Sequence, residues 1–184
     1  MPMQSQIRPR ALKEILPQVF IVEATDPRSP IYRLAGTGLC ERFGRELRGI
    51  PFLADWEVQS QRSVVSLMRT SQARLLPACF HTVASLEDFG WVDVETVIAP
   101  LARSDAGDVR FLGTMQITSD LPRLNRGIIV SQRLVTSQVA QAGEAQQTRP
   151  GQNQQPSETR QAACRLVQPH WLKVVLSVDR PGTA

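Results

Sequence analysis

A chain of 184 residues, 42% of them hydrophobic, with 21 basic against 17 acidic residues and a formal charge of +4, is long enough for one domain with a proper core and cramped for two. The basic residues are scattered and, apart from Lys13 and Lys173, all arginine, so no dense run marks a phosphate track and nucleic acid is not the expected partner. Cys40, Cys79 and Cys164 are far apart without a paired spacing, residues 1–10 hold no apolar leader core, and no stretch approaches the roughly 18 apolar residues of a membrane span; the expectation is a cytoplasmic protein away from the membrane.

Taken in order, Ala11, Leu12, Ile15 and Leu16 share a helical face, with Pro9 suited to the first turn and Pro17 ending it. A short amphipathic helix over 10–16 follows. Residues 19–24 are apolar and β-branched, and Asp26, Pro27, Ser29 and Pro30 part them from residues 31–35, which predicts a hairpin. Gly36 and Gly38 break the second strand. Leu39, Cys40 and Phe43 then recur at helical spacing until Gly44, and Arg45 to Phe52 reads as another short helical piece around a Gly49 turn. Asp55 is the expected N-cap of a longer helix carrying Val58, Val64, Val65, Leu67 and Met68. Residues 75–84 read as a strand.

The most regular stretch is 90–118. Val92, Val94, Thr96 and Ile98 fall on one face of a strand, with Asp93 and Glu95 on the other. Val109, Phe111, Gly113, Met115 and Ile117 repeat that period after a polar turn near Asp105, Gly107 and Asp108, so the two runs pair as an antiparallel hairpin onto whose apolar face the earlier chain folds. Strands at both ends with helices between, and no helical crossovers among the last strands, make this an α+β fold.

The run YRLAGTGLCERFGRELRGIPFLADW, Tyr32 to Trp56, carries a resemblance: a tyrosine-arginine-leucine strand, a helix ending phenylalanine-glycine, then an acidic-leucine-x-glycine turn. With ILPQVFIVEA before it and ETVIAPLARSDAGDVRFLGTMQI after, it resembles the small single-domain PAS proteins common in alphaproteobacteria, over residues 7–122. The resemblance implies a five-stranded antiparallel sheet of order 2-1-5-4-3, helices over one face and an internal pocket between them. It also implies a sensory or regulatory module that binds a small ligand, dimerises, or both. It names no cofactor.

Large, adaptable apolar residues on the elements that should face each other, Phe52, Trp56, Met68, Phe111 and Met115, are candidates to line such a pocket and equally candidates for plain core; Tyr32 or Arg33 would offer a polar group at its mouth. Cys40, in LCERF, resembles the photoactive cysteine of flavin-binding relatives, but it sits one helix early and lacks the asparagine and glutamine partners of a flavin ring. A small buried cysteine is the simpler reading. Cys79 and His81 share a strand face without the second pair a metal site needs. The long helix carries no histidine for a haem. Glu87, Asp88, Asp93 and Glu95 read as a solvated strand edge, and no nucleophile elbow, P-loop or Rossmann fingerprint is present.

The division that follows is a helical cap over 1–17, the sensory domain over 18–122, an arm and Gln-rich linker over 123–163 and a strand-like tail over 164–184. Residues 128–139 fit either a helix or an extended arm. His170 to Val178 alternates apolar and polar and should dock on a sheet edge or on a neighbouring subunit. The expected activity is that of a non-enzymatic module acting through a protein partner or its own homodimer. The alternatives are a small-molecule enzyme on a cupped sheet, which would need Asp93 or Glu95 buried beside His81, and a structural dimerisation module.

Overall fold

The computed structural model describes residues 13–26, 28–102, 107–119 and 127–140. After a 3-10 turn at Leu16–Gln18 come β1 (Val19–Glu23), β2 (Ile31–Ala35), α1 (Thr37–Arg42), α2 (Val58–Arg74), β3 (Ala78–Leu86), β4 (Trp91–Pro100), β5 (Arg110–Ile117) and β6 (Ile129–Val139). The strands form one antiparallel sheet of order β2-β1-β5-β4-β3-β6. This is the expected 2-1-5-4-3 order with a sixth strand added beside β3. The β4–β5 hairpin sits at its centre, paired from Val94 opposite Ile117 to Pro100 opposite Phe111.

Period-2 patterning sets which side chains go inward. Val92, Val94, Thr96 and Ile98 of β4 and Phe111 and Met115 of β5 are buried on the face that the helices cover. β1 is buried along its whole length, because a strand flanked on both sides and apolar on both faces has nowhere to expose itself. Phe20 lies directly opposite Gly113 of β5, and its ring fills the space a side chain at Gly113 would need.

α2 buries Ser60, Val64, Met68 and Ser71, a four-then-three stripe that points one face at the sheet. It ends at Leu75 in the left-handed region, φ 57°, which turns the chain into β3. The strand predicted from residue 75 therefore starts at Ala78.

Three other expectations are corrected. Within the described part of the N-terminal helix, residues 13–15 form a turn and the only helical residues are Leu16–Gln18, with Pro17 inside them and Gln18 N–H donating to the Ile15 carbonyl at 2.8 Å. The segment 45–52 forms turns and no helix. Its backbone is used sideways, because Tyr32 N–H donates to Ile50 O, Gly49 N–H to Tyr32 O and Phe52 N–H to Pro30 O, lining the outer edge of β2. Asp55 does not cap α2: Glu57 holds the N-cap position, without a side-chain bond, and the Asp55 carboxylate is engaged by Arg45 at 2.6 and 2.8 Å.

The arm left open between helix and extended chain is β6, hydrogen-bonded to β3 from Ala78 opposite Val139 to Leu86 opposite Ile129. Two register shifts interrupt that ladder, at His81/Thr82 and at Ser85/Leu86. Near the first of them, Leu134 N–H donates to Ser60 Oγ of α2 at 3.0 Å. Near the second, Gln132 makes a parallel bridge to Trp56, accepting from Glu57 N–H and donating to Asp55 O. The sixth strand is thus tied to both ends of the segment that opens the long helix. The linker from 141 and the tail over 164–184 lie outside the described residues.

Candidate functional site

Between the inward face of the sheet and α1, α2 and the 45–57 segment lies one continuous apolar cluster. All six residues proposed from sequence meet there. Tyr32 comes from β2, Phe52 and Trp56 from the turns before α2, Met68 from α2, and Phe111 and Met115 from β5, each at most 4% exposed. Their rings continue in a row that sequence reasoning did not complete: Tyr32 to Phe52 at 5.3 Å, Phe52 to Trp56 at 6.1 Å and Trp56 to Phe80 of β3 at 5.8 Å, with Phe20 5.8 Å from both Tyr32 and Phe52. Most are edge-on or tilted, the arrangements that the ring quadrupoles favour. The available signal for Phe80 was its parity with Ala78, Thr82 and Ala84.

Polar atoms interrupt this interior. Trp56 Nε1, Gln132 Oε1 and Thr96 Oγ1 are buried without a hydrogen-bond partner. Trp56 and Gln132 are bridge partners, while Thr96 faces Phe80 across the β3–β4 ladder. A buried donor or acceptor left unpaired costs about 1–3 kcal/mol, so three of them in one apolar cluster are a feature to be accounted for. Thr82, by contrast, is satisfied by the Val94 carbonyl at 3.3 Å.

The Tyr32 end of the row is also polar. Burial holds the Tyr32 phenol well above its ordinary range, and the nearby Asp55 carboxylate adds to this while the Arg45 guanidinium offsets it. Asp55 is itself mostly covered, its side chain 12% exposed, so the Arg45–Asp55 pair forms a charged lid on that end. Arg33 is no part of it. It points outward to Glu23.

The remaining sequence candidates lie elsewhere. Cys40 is half-buried, not buried, with its thiol 3.6 Å from a Glu46 carboxylate oxygen. Cys79 and His81 occupy the opposite face of the sheet, where His81 Nε2 is 3.7 Å from Asp93. Asp93 has half its side chain exposed and accepts a bond from Ser119 Oγ, so the buried carboxylate–histidine pair that an enzyme reading required is not formed by Asp93. Among the described residues, no three His, Cys, Asp or Glu side chains gather as metal ligands. No helix there is long and apolar enough to cross a membrane.

A charged cluster missed by sequence reasoning lies on that opposite face. Glu23 is buried between Arg33, which donates to both its oxygens at 2.6 and 2.9 Å, and Arg110, at 3.3 Å, which also binds Asp108. The Arg33 hydrogen bonds hold the Glu23 carboxyl below its ordinary range, against the opposing effect of burial, with the Arg33 charge and Arg110 contributing less. A carboxyl with a depressed folded pKa contributes stability above its unfolded pKa of about 4.3 and loses it as pH falls through the folded value. Glu23→Gln is therefore expected to lower the urea midpoint at pH 7, with the gap to the parent closing at acid pH. Parallel midpoint-versus-pH curves for the two proteins would count against this coupling.

Compared with known proteins, residues 1–116 match a family model described as a PAS domain. Among solved structures, the chain is similar to a light-oxygen-voltage domain studied with a flavin analogue, at 19% identity, covering 60% of this chain and 84% of that one, with a TM-score of 0.45. It is likewise similar to the blue-light photoreceptor Aureochrome1 LOV in its light state, at 16% identity, 60% and 88% coverage and a TM-score of 0.44, and in its dark state, at 15%, 60% and 82%, and 0.45. No curated protein matches.

Proposed function

The chain belongs to the PAS domain family, a family of sensory modules rather than enzymes, and from that membership we propose that it is a cytoplasmic signalling module that senses a small ligand in its interior and acts through a separate partner or its own dimer. The observation that supports this reading is the set of unpaired buried atoms, Trp56 Nε1, Gln132 Oε1 and Thr96 Oγ1, within the cluster that also holds Tyr32, Phe52, Met68, Phe111 and Met115. A flat, mainly apolar molecule with one donor and one acceptor would match that mixture of rings and stranded polar groups. Occupancy would bias the arrangement of α2 and β6, both of which touch the Trp56 segment, and such a bias is all a sensor requires.

For the partner, the exposed apolar surface at one end of the sheet is the contact we propose: Phe89 at 93%, Trp91 at 58% and Val130 at 50% exposure.

The test is native mass spectrometry of the purified chain against its denatured mass, with an absorption spectrum from ultraviolet to red. A small-molecule mass excess that is lost on denaturation, and reduced in Thr96→Val and Gln132→Leu, is the expected result. A bare, colourless chain in which both substitutions raise the melting temperature would return these residues to ordinary core and favour a module that only associates.

A further inference from the structure

The segment from Leu53 to Glu57 lies between the inner cluster and solvent. Leu53 and Trp56 belong to the cluster, at 8% and 3% exposure, while Ala54 between them is exposed. Both ends of the segment are anchored. Before it, Pro51 bridges to Ile31 and Phe52 N–H donates to Pro30 O at 2.8 Å; after it, Glu57 O accepts the first bonds of α2, from Ser60 N–H at 2.8 Å and Gln61 N–H at 3.2 Å. Between the anchors its own bonds are short-range turns, Ala54 N–H to Pro51 O and Trp56 N–H to Leu53 O. Three clamps hold it down. Arg45 Nη2 donates to both Asp55 carboxylate oxygens at 2.6 and 2.8 Å, and the Gln61 side-chain amide donates to Leu53 O at 3.3 Å and Trp56 O at 3.0 Å. Gln132 of β6 donates its backbone N–H to Asp55 O at 2.6 Å and accepts from Glu57 N–H at 2.9 Å.

Two of the three clamps are side chains, and that of Arg45 is 42% exposed, so water competes for its grip. Freeing the segment breaks these few bonds, whereas opening the interior along a β-ladder or α2 breaks a cooperative run. Trp56 Nε1, unpaired while buried, gains water on opening, which lowers the cost further. We propose that Leu53 to Glu57 is a strap that opens as a unit between Phe52 and Val58, uncovers Trp56, and is the port by which a flat, uncharged molecule reaches the inner cluster. What passes through the port rests on the ligand reading above; the opening stands on the clamps alone. Arg45 is then a gate residue, whose hold on Asp55 sets how often the port is open.

Two readouts on the full chain test this. Amide hydrogen exchange at neutral pH, resolved by residue, is measured for the parent, Arg45→Met, Gln61→Met and, as a control on the exposed side of the same helix, Arg62→Met. The Glu57 and Gln132 amides should exchange about tenfold faster in Arg45→Met and in Gln61→Met and at the parent rate in Arg62→Met, with the β4–β5 ladder unchanged in all three. Acrylamide, itself small, flat and uncharged, is the second probe. With Trp91→Phe and Trp171→Phe leaving Trp56 as the only tryptophan, its quenching should rise a fewfold on adding Arg45→Met. If Arg45→Met fails to fold, Asp55→Asn carries both measurements, with smaller rises in the same direction. The proposal is overturned if the two amides keep the parent rate in both clamp variants, if they speed up only in step with the β4–β5 ladder, or if Trp56 stays unquenched once they are freed. Absence of any small-molecule mass excess in native spectra, alongside the expected exchange and quenching, would remove the ligand and leave the strap.

Discussion

Phe52→Ala is expected to cost about 3–5 kcal/mol of folding stability, the range for truncating a fully buried aromatic. Phe52 is the junction of the ring row, 5.3 to 6.1 Å from Tyr32, Phe20 and Trp56, and is 2% exposed. Its removal takes away transfer free energy and leaves a void that three rings of fixed orientation cannot close. Phe89→Ala removes the same side chain at 93% exposure and should change stability by no more than about 0.5 kcal/mol. Urea unfolding of the two variants decides it; a loss under about 1 kcal/mol for Phe52→Ala would mean that the interior collapses freely and the row is not rigid.

Gly113→Val sets two effects against each other. Strand propensity favours valine over glycine by up to about 1 kcal/mol. Sterics oppose it, because a Cβ at Gly113 would fall within 2.9 Å of three carbons of the Phe20 ring, itself held by Tyr32 and Phe52. Overpacking of a filled core costs about 1–3 kcal/mol and sometimes more, so the net effect is destabilising. Phe20→Leu should recover part of the loss in the double variant although it is harmful alone. A stabilised Gly113→Val protein would show that the Phe20 ring is free to move away.

Much of this fold was legible because strict alternation survives wherever a strand is half-covered. Val92 to Ile98 and Phe111 to Met115 state their inward face outright, and Ser60, Val64 and Met68 keep helical spacing. β6 was ambiguous for a physical reason: two register shifts break its period, so Ile129, Gln132 and Leu134 fall inward at irregular spacing and mimic neither template. The 45–52 segment has helix-like composition, but Tyr32 and Pro30 claim its backbone groups through pairings remote in sequence. The six residues that meet in the inner cluster were recognisable by size. Gln132 and Thr96 were not, because one stands in a polar run and the other looks like any strand threonine until its burial is known. A second apolar cluster, on the opposite face of the sheet, was hidden likewise, since Val97, Ala99 and Leu112 sit at positions that alternation assigns to solvent.

The placement of β1 between β2 and β5 has a consequence in time. Val19 to Glu23 pair with Thr114 to Arg110, partners roughly ninety residues further along the chain. At synthesis rates of about 5–20 residues per second, the β1–β2 hairpin emerges about 4–16 s before the strand that completes it. Closing so long a loop is among the slow steps of folding, and an isolated hairpin is marginal in water. Val19, Phe20, Ile21 and Val22 therefore form the segment most exposed to mispairing while the protein is being made, and a nascent chain stalled before residue 110 should be the species that chaperones hold.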